Sequence, residues 1–275
     1  MFGAEYIEAV FLGAIQGIAE FLPISSSGHL VIVGELIQRF TGREVDPESN
    51  LRLNVALHVG TLLSIFWVYR ADLWELRKRP KIVLGIAIAT LPLVAIGLSP
   101  LKDVMEAGFN TPLIAGCCLL VTAGLLASAH RWEKNLLAID DLSPWRAGII
   151  GLFQAVALFP GISRSGSTIS GGLLLGFRRD VAANFSFFIA IPAIAGAAVL
   201  TLKDALTEPT EITVNAGYGW GPILAGTLVS FIVGLLALRW LLRLISERRL
   251  HWFAWYCAAV GVLTIIWQLV ERGRV

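Results

Sequence analysis

Six stretches of this chain are apolar over the length needed to cross a bilayer: Leu53–Tyr69, Ile82–Leu98, Pro112–Ala129, Phe185–Leu202, Ile223–Leu242 and Trp252–Leu269. A helix rises about 1.5 Å per residue, so about 20 apolar residues match a hydrocarbon core about 30 Å thick. Hydrocarbon offers no water to the backbone, so a spanning segment of this length must bond internally as a helix. Composition points the same way. Of 275 residues, 56% are hydrophobic and 15% charged, whereas a soluble domain carries about 25% charge. Too little polar surface exists to cover a water-soluble globule. The expected fold class is an all-α polytopic membrane protein, surrounded by membrane lipid and with no nucleic-acid partner.

Smaller features fit that class. Met1–Val10 lacks a basic region and carries Glu5 and Glu8, so it does not read as a cleaved signal peptide. Cys117, Cys118 and Cys257 lie in apolar runs without metal-ligand spacing, and are expected to be buried structural thiols rather than disulfide partners. Tryptophans near span ends, such as Trp67, Trp74, Trp220, Trp252, Trp255 and Trp267, read as interfacial anchors. His130 and His251 lie at span ends and read as interfacial too.

Two further apolar stretches are interrupted. Val10–Ile37 is broken by Pro23-Ile24-Ser25-Ser26-Ser27-Gly28, and Ile149–Leu175 by Pro160-Gly161-Ile162-Ser163-Arg164-Ser165-Gly166. About a dozen apolar-rich residues flank each polar knot. Half-length arms around a polar break suggest a re-entrant hairpin that enters and leaves on one face. The alternative is one long helix, against which stand the proline and glycine at each centre.

The two knots are copies. Gly13–Leu36 aligns without gaps to Gly151–Leu174 at an offset of 138 residues, and ten of the 24 pairs are identical. The identities include the scarce polar positions Gln16/Gln154, Ser25/Ser163 and Ser27/Ser165, and the pair Gly28/Gly166. The expected organisation is a first repeat over 1–130 with a hairpin at about 8–38, a linker over 131–146, and a second repeat over 147–275 with a hairpin at about 147–177. One hairpin plus three spans is an odd number of crossings, so the second repeat starts on the opposite face. In such inverted repeats the broken elements meet near the bilayer midplane and build the site there.

Basic loops mark the cytoplasmic side. Arg70–Lys81, Arg131–Arg146, Arg178-Arg179 and Arg239–Arg249 all fall on one side in this topology, whereas Phe40–Arg52 and Lys203–Trp220 are poorer in net positive charge. The N-terminus, the first hairpin and the C-terminus are then outside. Arg272 and Arg274 stand against that placement.

The copies differ where chemistry would lie. The first knot has Glu20, Ser26 and His29 where the second has Leu158, Arg164 and Ser167. An arginine at membrane depth costs at least about 2.5 kcal/mol unless paired or hydrated. A guanidinium among the hydroxyls of Ser163, Ser165, Ser167 and Thr168, with bare backbone at Gly166 and helix N-termini converging, suits a phosphate or carboxylate. A structural ion pair between Arg164 and Glu20 is the competing reading. Gln16 and Glu20 are spaced i, i+4 and share a helix face, where Glu20 could hold a cation or activate a hydroxyl; a satisfied polar face is the plainer alternative. Ser25 and Ser27 recur in both copies and read as capping residues. Ser26 has no hydroxyl counterpart and is the preferred nucleophile, with His29 as base or alternative nucleophile. His58, in mid-span, reads as a supporting group.

Gln16-Gly-Ile-Ala-Glu20-Phe-Leu-Pro-Ile-Ser25-Ser26-Ser27-Gly28-His29 resembles the (E/Q)xxxE–FLPxSSxGH motif of the undecaprenyl-diphosphatase family. Pro160–Thr168 resembles that family's PGxSRSxxT motif, and Phe185–Ala198 its following span. The resemblance implies hydrolysis of undecaprenyl diphosphate to the monophosphate and inorganic phosphate at a site facing outward from the bacterial inner membrane. The lipid carrier would return to peptidoglycan synthesis, and bacitracin action would be opposed. It implies catalytic roles for Glu20, Ser26, His29 and Arg164, and phosphate binding by Ser25, Ser27, Gly28, Ser163, Ser165, Gly166 and Thr168. It implies a divalent cation, Mg or Ca, at Glu20 with Gln16; the many family members with Glu at that position make Gln16 the weaker ligand. A homodimer is an open expectation. Because broken helices in inverted repeats also build transporters, movement of a prenyl phosphate lipid is the competing function.

Overall fold

The computed structural model describes residues 2–41, 51–100, 111–207 and 218–272. Among these, the chain forms eleven α-helices: α1 Phe2–Ala19, α2 Ser26–Thr41, α3 Leu51–Val68, α4 Arg70–Leu76, α5 Pro80–Gly97, α6 Pro112–Trp132, α7 Pro144–Val156, α8 Arg164–Leu174, α9 Arg179–Thr207, α10 Trp220–Ser246 and α11 His251–Arg272. Proline opens α5, α6 and α7, where its fixed φ suits the first turn and its missing N–H is not needed. Thr111 caps α6 by accepting the Ile114 N–H.

Five helices are long and apolar enough to cross a membrane, and a sixth span is available if the bent pair α3–α4 counts as one. The bend is 76°. The predicted span Leu53–Tyr69 therefore stops at Tyr69, and Arg70–Leu76, read from sequence as basic loop, is helical. Its Trp74 is stacked by the Arg77 guanidinium, 3.4 Å from the ring centroid. Large apolar side chains such as Leu91, Leu98, Leu224 and Leu263 are exposed, as expected of surfaces that face hydrocarbon.

Both knots break their helices, between α1 and α2 and between α7 and α8. The arms of the second hairpin are 13 and 11 residues long, so α8 reaches only about 16 Å. The first hairpin is larger than its predicted bounds of 8–38. Its arms run for 18 and 16 residues, because the helix continues through Glu5 and Glu8 to Phe2. The acidic loop Phe40–Arg52 falls largely outside the described residues, as do Glu208 and Glu211 of Lys203–Trp220, and Arg274.

The packing pairs mirror one another: α1 lies on α10 as α7 lies on α5, and α6 lies on α11. The α1–α10 approach is close enough that a Cβ on Gly17 would stand 2.8 Å from the Gly234 nitrogen, a small-residue contact of the kind that holds membrane helices together. The main core lies beside the first knot. There Phe21 is fully buried and meets Phe187 edge-on, with Tyr69 stacked on the same ring and donating its hydroxyl to Asn184 at 3.1 Å. His130 and His251 face each other across the α6–α11 contact, ring centroids 4.6 Å apart. The cysteine expectation needs correcting. Only Cys257 is buried; Cys117 is exposed and Cys118 intermediate. An apolar run looks alike on its lipid and core faces, so burial could not be read from it.

Candidate active site

Each knot is built around one capping serine. The first arm ends at Ala19, Pro23 lies in the turn that follows, and Ser25 adopts a left-handed backbone with φ 66°. Its Oγ accepts the Gly28 N–H at 3.3 Å, capping α2. In the second knot Gly161 takes φ 99°, and Ser163 Oγ accepts the Gly166 N–H at 3.1 Å, capping α8. The structure brings the two turns into direct contact. The Gly161 N–H donates to Ser25 Oγ at 3.1 Å. The mirrored bond does not form, since the counterpart of Gly161 is Pro23, which has no N–H. Gly28 faces Gly161 so closely that an added Cβ would lie 2.6 Å from the Gly161 Cα.

Helices of the opposite repeat hold each turn. Thr122 of α6 donates its hydroxyl to the Gly161 carbonyl at 2.9 Å and accepts the Ser163 N–H at 3.0 Å. Cys257 of α11 lies against the Pro23 carbonyl, Sγ–O 3.5 Å. Neither residue stands out in sequence, because each sits in an apolar span and its partner is distant along the chain.

Glu20 and Arg164 meet across the gap, Nη2 to Oε1 at 2.5 Å. Their side chains are 9% and 17% exposed. Gln16 Nε2 reaches the other carboxylate oxygen at 3.1 Å, and His58 Nε2 stands 3.9 Å from it. Removing one partner from such a buried pair leaves an uncompensated charge, which typically costs about 3–5 kcal/mol. Arg164 Nη1 is buried and, among the described residues, has no hydrogen-bond partner. The guanidinium therefore keeps donor capacity that Glu20 does not use, the chemistry by which arginine pairs with carboxylates and phosphates.

Glu20 and Arg164 line a cavity of about 120 Å³, walled also by Ala19, Ser25, Ser26, Ser27, Ala157, Ile162 and Ser163. It lies at the N-termini of both α2 and α8, whose first-turn N–H groups lack intrahelical partners and carry the positive end of the dipole. Ser25 and Ser163 spend their hydroxyls on capping, whereas Ser26 takes part in none of these bonds.

Other predicted site residues lie elsewhere. Ser165 is buried against Ser163 Oγ at 3.2 Å, and Gly166 serves the cap. Thr168 does not reach the cavity: its hydroxyl donates back to the Arg164 carbonyl at 2.8 Å and pairs with Ser186 at 2.5 Å, as helical threonines commonly do when buried. His29 is turned outward, with Nδ1 on the Ser25 carbonyl and Nε2 on the Tyr256 hydroxyl, each at 2.8 Å. A larger cavity of about 220 Å³ lies among Asp72, Glu75, Arg79 and the Arg178–Asp180 pair; it contains none of the knot residues.

The donor set does not build a resident metal site. Among the described residues no group of three or more His, Cys, Asp or Glu could hold an ion. Glu20 is the cavity's one carboxylate; its oxygens are taken by Arg164 and Gln16, and Gln16 presents its amide nitrogen.

A family model described as bacitracin resistance protein BacA matches residues 9–263. The undecaprenyl-diphosphatase of Rhodopirellula baltica is 42% identical over 268 residues, covering 96% of this chain and 99% of that protein. Those of Alkaliphilus metalliredigens and Methanosphaera stadtmanae are 39% and 37% identical, covering 96% and 97% of this chain and 98% and 99% of their own lengths. With the family model spanning nearly all of both repeats and the site, the chain belongs to the bacitracin resistance protein BacA family.

Proposed function

We propose that this multi-pass membrane protein hydrolyses undecaprenyl diphosphate to undecaprenyl phosphate and inorganic phosphate. One observation carries the reading. A largely buried guanidinium with an unpartnered nitrogen, Arg164, lines the same cavity as a hydroxyl, Ser26, and a carboxylate, Glu20. The names of the relatives supply the substrate class. A polyprenyl tail belongs in hydrocarbon, while its diphosphate needs a polar pocket such as this one.

In the proposed reaction, Arg164 Nη1 and the first-turn N–H groups of α2 and α8 hold the diphosphate. Ser26 Oγ attacks the terminal phosphorus, and its proton passes to Glu20. The bridging P–O bond breaks and its electron pair leaves with the lipid monophosphate. Water then attacks the phosphoserine, releasing inorganic phosphate and restoring Ser26. Charge develops on the transferred phosphoryl oxygens, where preformed donors count most. A divalent cation, Mg or Ca, belongs to this proposal only as a passenger of the diphosphate, with phosphate oxygens and water filling its shell. The inner membrane as location, with the cavity open to the outside, is what the family implies, and the loop charges put the first hairpin on that same side; there the product lipid re-enters peptidoglycan synthesis and less diphosphate remains for bacitracin.

The test is phosphate release from a prenyl diphosphate by purified protein in detergent. Wild type releases phosphate, and Ser26→Ala and Arg164→Ala each lose about 100-fold or more in kcat. If wild type releases none and instead moves the lipid across vesicles, the chain is a transporter. If Ser26→Ala keeps full activity, the nucleophile is another group.

A further inference from the structure

We propose that Tyr256 is a positioning residue that acts through His29. The pair clamps the strained Ser25 turn and so aims Ser26 at the cavity. The inference rests on the hydrolase reading above and adds a role for a residue outside both knots.

Ser25 is not glycine, yet its φ is 66°. Such a backbone persists only where its surroundings over-determine it. The Ser25 hydroxyl is held by the Gly28 and Gly161 N–H groups. Its carbonyl receives the His29 backbone N–H at 3.2 Å and the His29 ring at 2.8 Å. A carbonyl can only accept, so the ring proton sits on Nδ1. With Nδ1 protonated, the neutral form of the ring leaves Nε2 as an acceptor for the Tyr256 O–H, 2.8 Å away. The two rings also stack, centroids 5.6 Å apart and planes 8° from parallel. Both imidazole nitrogens are therefore spent, and neither is left for a proton in the cavity, which His29 does not line.

Tyr256 and Cys257 are consecutive on α11. The first grips the Ser25 side of the turn through His29, and the second lies against the Pro23 carbonyl. The last helix of the second repeat thus braces the turn that carries the nucleophile of the first.

The positioning role separates cleanly from a proton-shuttling one. In His29→Asn the amide nitrogen occupies the place of Nδ1 and can donate to the Ser25 carbonyl, but it cannot shuttle a proton. Phosphate release is measured for wild type, His29→Ala, His29→Asn, Tyr256→Phe and the double variant His29→Asn/Tyr256→Phe, with kcat and KM resolved across pH. His29→Ala is expected to lose about 100-fold in kcat with KM little changed, the effect of a displacement of about 1 Å. His29→Asn recovers to within about tenfold of wild type and keeps the acid limb of the kcat/KM profile at the same pH. Tyr256→Phe loses up to about tenfold, the worth of one hydrogen bond; in the His29→Asn background it adds nothing. The inference is overturned if His29→Asn is as inactive as His29→Ala, if its acid limb vanishes, or if Tyr256→Phe lowers it further. A readout independent of turnover is nitrogen-15 NMR of histidine: the Nδ1–H tautomer supports the clamp and the Nε2–H tautomer refutes it. Absence of phosphate release by wild type would instead defeat the hydrolase reading.

Discussion

Replacing Gly28 by alanine presses on the contact that joins the two knots. A Cβ there would lie 2.6 Å from the Gly161 Cα and 2.9 Å from its nitrogen, whereas non-bonded carbons rest at about 3.5–4.0 Å. One side must give way by about 1 Å. Gly161 cannot: its backbone is left-handed, its carbonyl is held by Thr122, and the space on its other side is filled by Ala115 and Cys118. The displacement therefore falls on the Gly161–Ser25 hydrogen bond, stretching 3.1 Å beyond bonding range. Overpacking of this kind costs about 1–3 kcal/mol, and a buried N–H left unpaired costs about the same. For the reaction, a shift of about 1 Å between Ser26 and Arg164 predicts a loss of about 100-fold in kcat. The assay is phosphate release from a prenyl diphosphate, with thermal unfolding in the same detergent. Gly124→Ala is the control, since nothing lies within 4 Å of its added Cβ. If Gly28→Ala matches Gly124→Ala in rate and midpoint, the two knots do not depend on this contact and the reasoning fails.

Other outcomes follow from the same geometry. Thr122→Val leaves the buried Gly161 carbonyl and Ser163 N–H without their shared hydroxyl, and should cost about 1–3 kcal/mol of stability in detergent unfolding, with a matching fall in turnover; an unchanged midpoint would refute it. His58→Ala removes a group 3.9 Å from Glu20 that is about one-third exposed, so the loss of kcat/KM should stay within about fivefold, the worth of a screened pair. A greater loss would make His58 part of the chemistry. Titrating Mg or Ca alone should leave the unfolding midpoint unchanged, whereas adding the ion together with a non-hydrolysable prenyl diphosphate analogue should raise it; a rise with the ion alone would reveal a resident site.

Much of the fold was legible because polar residues are scarce in an apolar chain. The knots stand out at Pro23–Gly28 and Pro160–Gly166, and their capping serines place the starts of α2 and α8 at Ser26 and Arg164. The i, i+4 spacing of Gln16 and Glu20 likewise needs only the helical period, and their bond forms at 3.1 Å. What was illegible depends on tertiary pairing. Thr122, Tyr256 and Cys257 look like ordinary span residues until α6 and α11 are laid against the knots. Position alone does not say which side of α2 carries His29, and the Ser25 carbonyl and Tyr256 turn it away from the cavity. The motif makes Thr168 look like a phosphate ligand, but the nearer Arg164 carbonyl and Ser186 claim its hydroxyl. The bend after Val68 was hidden because α4 carries the charges expected of a loop.

A double-mutant cycle on Glu20 and Arg164 bears most directly on whether the converging turns form one dephosphorylating site. Wild type, Glu20→Gln, Arg164→Lys and the double variant are compared by kcat/KM for phosphate release from a prenyl diphosphate. Side chains 2.5 Å apart should couple by at least about 1 kcal/mol, so that the double variant loses at least about fivefold less than the product of the two single losses. Losses that simply multiply, or single variants that hydrolyse as wild type does, would contradict the shared site.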